Sequence, residues 1–134
     1  MRATLVDSNV IIDYLDPDSE WADWSASMLA RAADHGAVAI NAIIYAEVSA
    51  TYPTIESVEE ALPHEYFVRA ALPWEAAFLA GRSFREYRRR GGVKRAPLPD
   101  FYIGAHAAVT GMTLLTRDAR RYRTYFPKLK IVAP

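Results

Sequence analysis

The stretch Ala3-Thr4-Leu5-Val6-Asp7-Ser8-Asn9-Val10-Ile11-Ile12 runs from a short apolar segment into a carboxylate, then two small polar residues, then a second apolar segment. An apolar run of this length with a turn signal behind it fits a strand buried on both faces, as in a parallel sheet. The last residue of such a strand lies at the carboxyl edge of the sheet, where open α/β sheets bind ligands and carry out chemistry. Asp7 then has two readings. It, or Ser8, caps the helix that follows, as Asp, Ser and Asn often do; or it is a functional carboxylate at the sheet edge.

Outward from this stretch, strand and helix patterns alternate. Residues 9–15 read as a short helix closed by Pro17, and Ser19 is placed to cap the next. There Trp21, Trp24, Met28, Leu29 and Ala32 follow helical spacing up to Gly36. The two tryptophans fit core packing, or a partner-binding face, since Trp is enriched at interfaces. Residues 37–40 form a second strand, and Asn41 caps a helix over 41–52 whose apolar stripe contains Glu47. A carboxylate there is either buried with a partner or at the rim beside a base. Thr54 opens an acidic helix over 55–62, read as a solvated face, and residues 66–69 give a third strand. Pro73 starts a helix with an expected buried stripe of Trp74, Ala77, Phe78, Gly81 and Phe84. Residues 96–107 start another, with proline just inside it and Asp100 in its first turn above Ile103, Gly104 and Ala107. His106 has no partner at metal-ligand spacing and reads as an ordinary helix residue. Residues 112–116 form a fourth strand, with Asp118 behind it as Asp7 is behind the first; Asp118 is placed to cap a helix over 119–125. Residues 130–132 make a last strand. Strands alternating with helices call for a parallel α/β sheet with right-handed crossovers.

At 134 residues, with 51% hydrophobic and 24% charged residues, the chain is one globular domain, residues 1–134. It has no cysteine, which excludes disulfides and thiolate metal sites. No signal-peptide pattern precedes Asp7 and no apolar run approaches the roughly 20 residues needed to span a bilayer, so a soluble cytoplasmic protein is expected. The net charge of zero conceals a polarity. Residues 1–65 hold 12 acids against Arg2 and Arg31, whereas residues 66–134 hold 14 bases against Glu75, Glu86, Asp100 and Asp118. Such asymmetry points toward a polyanionic partner for the basic half, or to two halves that neutralise each other on one surface. The densest run is Arg82, Arg85, Arg88, Arg89, Arg90, Lys94 and Arg95, partly explained by the negative end of a helix dipole.

Asp7 and Asp118 follow strands, and Glu47 and Asp100 lie on apolar helix faces. Were all four to converge at ~5 Å, each like-charge pair would cost about 3 kcal/mol at an effective dielectric of ~20. Six such pairs approach ~20 kcal/mol, more than the roughly 5–15 kcal/mol that holds a domain together. The cluster needs compensation, and an all-oxygen site suits Mg2+ or Mn2+ rather than Zn2+. A cation so held activates water and stabilises charge on a phosphoryl oxygen. Bases at residues 82–95 and 117–123 would attract a nucleic-acid backbone. The chemistry inferred is metal-dependent phosphodiester hydrolysis.

Four segments in order resemble the motifs of the PIN (PilT N-terminus) domain, and specifically of VapC-type toxins of type II toxin–antitoxin pairs. They are Leu5-Val6-Asp7-Ser8-Asn9-Val10-Ile11-Ile12-Asp13, Asn41-Ala42-Ile43-Ile44-Tyr45-Ala46-Glu47-Val48, Leu98-Pro99-Asp100-Phe101-Tyr102-Ile103-Gly104-Ala105-His106-Ala107, and Leu115-Thr116-Arg117-Asp118 with Phe126-Pro127 downstream. The resemblance covers nearly the whole chain. It implies a three-layer α/β/α sandwich whose mainly parallel sheet of about five strands has order 3-2-1-4-5. It also implies an Mg2+- or Mn2+-dependent endoribonuclease with Asp7, Glu47, Asp100 and Asp118 as its catalytic acids. Asp7 and Asp100 would be the principal metal ligands, Asp118 would complete the set, and Asn9 and Thr116 would support it. Arg82, Arg85, Arg89, Lys94, Arg95 and Arg117 are the candidate RNA contacts. A homodimer and a cognate antitoxin that blocks the site are implied as partners. Two other readings stay open: a PIN-domain RNA-processing nuclease without an antitoxin, and a non-catalytic nucleic-acid-binding domain. A haloacid-dehalogenase-type phosphatase would need an Asp where Asn9 stands, and a receiver-like domain would need one after the strand at 66–69.

Overall fold

A computed structural model describes residues 2–95 and 98–134. Ala96 and Pro97, within the stretch expected to start a helix, lie outside the described residues. The chain runs β1 (Thr4–Val6), α1 (Ser8–Leu15), α2 (Ala22–His35), β2 (Val38–Ile40), α3 (Ala42–Ser49), α4 (Ile55–Ala61), β3 (Phe67–Arg69), α5 (Trp74–Arg89), α6 (Pro99–Thr110), β4 (Thr113–Leu115), α7 (Arg120–Tyr125) and β5 (Ile131–Val132).

The strands form one five-stranded sheet of order β3-β2-β1-β4-β5, and every pairing is parallel. This is the expected order, with the parallel character complete. β1 is central, with Thr4 opposite Val38 on one side and Thr113 on the other. Its residues are buried, as are those of β2 and β4. That burial on both faces is why these strands read as continuous apolar runs. The sheet grows from β1 through β2 to β3, then jumps back across to β4. Right-handed crossovers therefore put the helices of the two excursions on opposite faces. All five strands point their carboxyl ends the same way, toward the starts of α1, α3 and α7.

Local chemistry sets these starts. Asp7 accepts from the Ser8 N–H at the head of α1, and Asn41 Oδ1 accepts from the Ile44 N–H at 2.9 Å at the head of α3. Thr54 and Ser57 exchange hydrogen bonds as a capping box on α4. Pro99 occupies the first turn of α6. Several sequence expectations shift. Ser19 lies two residues short of the N-cap of α2, and its Oγ accepts from the Trp21 N–H in the preceding turn. α3 ends at Ser49, three residues early, where Ser49 and Thr51 hydroxyls bond back to backbone carbonyls. Pro73 sits just before α5, at its N-cap. On the acidic helix α4, Glu59 is no free solvated acid: Arg69 and the Tyr45 hydroxyl both bond to it.

The largest correction concerns α5. Trp74 and Phe78 are 87% and 64% exposed, while Ala76, Ala80 and Ser83 are buried. The helix turns its small residues inward because it packs closely on α6, where Tyr87 meets Phe101 edge to face at 5.6 Å. Trp74 and Phe78 are left in solvent, whereas Phe84 of the expected stripe is half-buried against the core. Trp21 and Trp24 meet edge to face at 5.9 Å, and Trp24 packs on the core as expected. Among the described residues, no helix is long and apolar enough to cross a membrane.

Candidate active site

At the carboxyl edge of the sheet a cleft of about 660 Å³ is lined by Asp7, Glu47, Asp100 and Asp118, with Arg120 and Arg121. The four predicted acids are thus brought to one place, from the end of β1, the middle of α3, the first turn of α6 and the loop after β4.

Asp7 is 4% exposed; it caps α1, and it also lines the cleft at the sheet edge. Its Oδ1 accepts from the Ser8 N–H at 2.8 Å. Its Oδ2 accepts from the Thr116 hydroxyl at 2.9 Å and from the Tyr122 hydroxyl at 2.8 Å. Thr116, fully buried, also receives the Asp118 N–H at 3.2 Å and the Asn9 amide at 3.4 Å. Asn9 Oδ1 accepts from the Arg117 N–H at 3.1 Å. The two residues expected to support the pocket therefore join the loop after β4 to the head of α1.

Tyr122, on α7 and 1% exposed, was not among the residues singled out by sequence. Its hydroxyl also lies 3.3 Å from Asp100 Oδ1. The two legs of 2.8 and 3.3 Å place those oxygens of Asp7 and Asp100 no more than about 6 Å apart. Its ring has room because α6 carries Gly104, whose Cβ, were there one, would stand 3.0 Å from the Tyr122 ring and 2.4 Å from that of Phe126. Nothing in the sequence pattern marks this tyrosine. It falls in a six-residue helix, and its carboxylate partner is 115 residues away.

Burial raises the Asp7 carboxyl above the ordinary range; Tyr122 and Thr116 oppose that rise, and the charge of Asp100 adds to it. Glu47, half-buried, is likewise raised by burial, opposed by the Ser8 hydroxyl bonded to its Oε1 at 2.9 Å. Asp118 is lowered, chiefly by the guanidinium of Arg120, whose Nε and Nη2 lie 3.1 and 2.9 Å from its two oxygens. Burial keeps the Tyr122 phenol well above its usual value, so it stays protonated and a donor.

The predicted bases divide. Arg82, Arg85, Arg89, Lys94 and Arg95 are exposed on α5 and the segment after it, outside the cleft lining. Arg82 lies 4.9 Å over the Phe78 ring. Arg117 turns away, its Nε 3.1 Å from the buried Asp13 and its guanidinium over Trp21. The bases at the cleft are Arg120, on Asp118, and Arg121, whose Nη1 is 3.3 Å from Asp100 Oδ2. His106, read as an ordinary helix residue, is buried and accepts at Nδ1 from Asn41 Nδ2 at 3.0 Å. The bond ties α6 to the head of α3, and burial lowers the histidine's pKa.

The donors in the cleft are oxygen only, with no thiol or imidazole. Among the described residues, no three acidic or histidine side chains stand as a ready metal-binding set. Asp7 and Asp100 do stand as a pair, and two carboxylates are what Mg2+ usually takes from a protein, completing its shell with water and phosphate. The residues fit a small hard cation.

A parallel five-stranded sheet with an acid-lined cleft at its strand ends defines a parallel α/β domain with its candidate site at the carboxyl edge of the sheet. The PIN domain family model matches residues 4–127, and the chain belongs to that family. Solved structures of similar fold include the VapBC2 complex of Rickettsia felis bound to a promoter DNA fragment (18% identity, 98% of each chain covered, TM-score 0.74). VapBC-1 of nontypeable Haemophilus influenzae is similar too (16% identity, 98% and 97% covered, TM-score 0.73). So is a toxin–antitoxin complex from Klebsiella pneumoniae (23% identity, 97% and 96% covered, TM-score 0.61). No curated protein matches by sequence.

Proposed function

We propose that the chain is a metal-dependent endoribonuclease, and that it is the toxin of a type II toxin–antitoxin pair. The observation that carries the nuclease reading is the pairing of Asp7 and Asp100 on one phenol, in a cleft that also holds Glu47 and Asp118 and is edged by Arg120 and Arg121. Asp7 and Asp100 would hold Mg2+ or Mn2+, with Glu47 and Asp118 completing the acidic pocket. The cation supplies Lewis-acid stabilisation of phosphoryl charge and a more acidic water. Glu47, made more basic by burial, would take the proton of the attacking water at its carboxylate as the water oxygen bonds to phosphorus and one ester P–O bond breaks, the leaving ribose oxygen departing with the bonding pair and taking a proton from solvent water. Arg120 and Arg121 meet the phosphate at the cleft mouth, while Arg82, Arg85, Arg89, Lys94 and Arg95 attract the backbone at longer range.

The antitoxin reading is supported by the company the fold keeps, since the similar structures named above are all toxin–antitoxin complexes. We also propose a homodimer, which would cover the exposed Trp74 and Phe78. The test is cleavage of labelled total RNA by purified protein with Mg2+, with Mn2+ and with EDTA, beside Asp100→Asn. Discrete products that need both the cation and Asp100 support the reading. Cleavage that survives EDTA or the substitution refutes the mechanism, and no cleavage by folded, inhibitor-free protein favours a non-catalytic RNA-binding domain.

A further inference from the structure

Asp7 and Asp100 come from opposite parts of the chain, and among the described residues only the Tyr122 hydroxyl reaches both acids, its single hydrogen donated to Asp7 Oδ2 at 2.8 Å and shared over a longer 3.3 Å contact with Asp100 Oδ1. Its position is tightly held. The ring is buried against Gly104, one helical turn beyond Asp100 on the same face of α6, and any side chain there would push against the rings of Tyr122 and Phe126. The hydroxyl cannot retreat without moving α6 or α7.

A carboxylate offers about four lone-pair positions. On Asp7 three are taken by fixed donors: Ser8 N–H on Oδ1, and the Thr116 and Tyr122 hydroxyls on Oδ2. One remains, on Oδ1. Groups that bond to a metal ligand in this way orient it and raise the affinity of the site.

We propose that Tyr122 is a positioning residue for the cation: its hydroxyl fixes the Asp7 carboxylate with one free lone pair on Oδ1 and holds Asp100 beside it. The inference rests on the metal-dependent reading of the cleft. A purely structural tyrosine would fill the same space with its ring, so the hydroxyl is the atom to remove. Tyr122→Phe keeps the ring and its packing on Gly104 while freeing one lone pair on Asp7 Oδ2 and releasing Asp100.

The experiment is calorimetric titration of the purified chain with Mn2+ at neutral pH, for wild type and Tyr122→Phe, with circular dichroism to verify the fold. Metal-dependence curves of RNA cleavage are run in parallel. The variant is expected to bind Mn2+ about 10- to 100-fold more weakly, the usual cost of losing a hydrogen bond to a metal ligand. Cleavage should need correspondingly more Mn2+ and recover most of its rate at saturation. Equal Mn2+ affinity in a folded variant would overturn the role of Tyr122 and leave the nuclease reading standing. Absence of Mn2+ binding by the wild type would overturn both. Should Tyr122→Phe not fold, Tyr122→Leu, which keeps apolar bulk beside Gly104 without the hydroxyl, takes its place, and unchanged Mn2+ affinity there would equally refute the role.

Discussion

Asp7→Asn should make the metal-free protein more stable while abolishing cleavage. The carboxylate is 4% exposed and shares a phenol with Asp100, so the two negative groups stand no more than about 6 Å apart. At an effective dielectric of ~20, that repulsion is about 3 kcal/mol. Asparagine removes it together with the cost of burying a charge. Against this, the amide keeps a single accepting oxygen: with that oxygen toward the Thr116 and Tyr122 hydroxyls, the Ser8 N–H loses its acceptor and the other two keep a neutral one, which together remove about 2–3 kcal/mol of the gain. The net is a stabilisation of about 1–2 kcal/mol at neutral pH, or roughly 4–8 °C in melting temperature for a domain of this size. The sign with pH follows from burial, which raises the Asp7 pKa in the fold. The stability Asp7 contributes is full below the ordinary carboxylate range and lost as pH rises through the raised value. Asparagine mimics the protonated form at every pH, so its advantage should be small at pH 4 and full at pH 7.5. The assay is thermal unfolding by circular dichroism in EDTA at both values, repeated at pH 7.5 with Mg2+, which should raise the wild type and leave the variant unchanged. A variant that melts at or below wild type at pH 7.5 in EDTA, or by the same margin at both pH values, would refute the reasoning.

Asp7 and Glu47 are both raised by burial, and both must ionise to serve a cation, so Mn2+ affinity should climb between pH 4 and 7 with a midpoint above the ordinary carboxylate range. Calorimetry across that interval checks this, and a flat profile would contradict it. Gly104→Ala places a methyl 2.4 Å from the Phe126 ring and should cost about 1–3 kcal/mol by overpacking, read as a lowered denaturation midpoint. Trp74→Lys combined with Phe78→Glu should leave the fold intact, since both side chains are exposed, and shift the chain from a dimer to 15.0 kDa in light scattering after gel filtration. A wild type that already runs as a monomer would refute the proposed pairing through this face.

The strands and the acids behind them were legible because they depend on short-range signals, a buried run, a polar residue at its end, a cap; the strand order came only with the resemblance of the four motifs taken together. Asp7 and Asn41 carry those signals within three residues of themselves. The orientation of α5 was not legible. Its sequence holds two candidate inner faces, one aromatic through Trp74 and Phe78, one small through Ala76, Ala80 and Ser83. Hydrophobicity favours the first; only the close approach of α6 selects the second. The pairing of Arg117 was hidden for a similar reason, as its partner Asp13 lies in α1, far away in sequence. Tyr122 and Gly104 needed the tertiary structure altogether, because a buried hydroxyl and the gap that admits it have no period and no motif.

The central position of β1 governs when the acidic cleft can assemble. One of its two neighbours is β4, and Thr116, Asp118 and Tyr122 all lie beyond β4 in the chain. A ribosome must therefore translate through residue 122 before the first strand has both partners and Asp7 has both of its hydroxyl donors. Chains released early, whether by stalling or by proteolysis of the nascent product, lack both the closed sheet and the bonded acid pair. The bonded acid pair is thus absent from any product that ends before Tyr122.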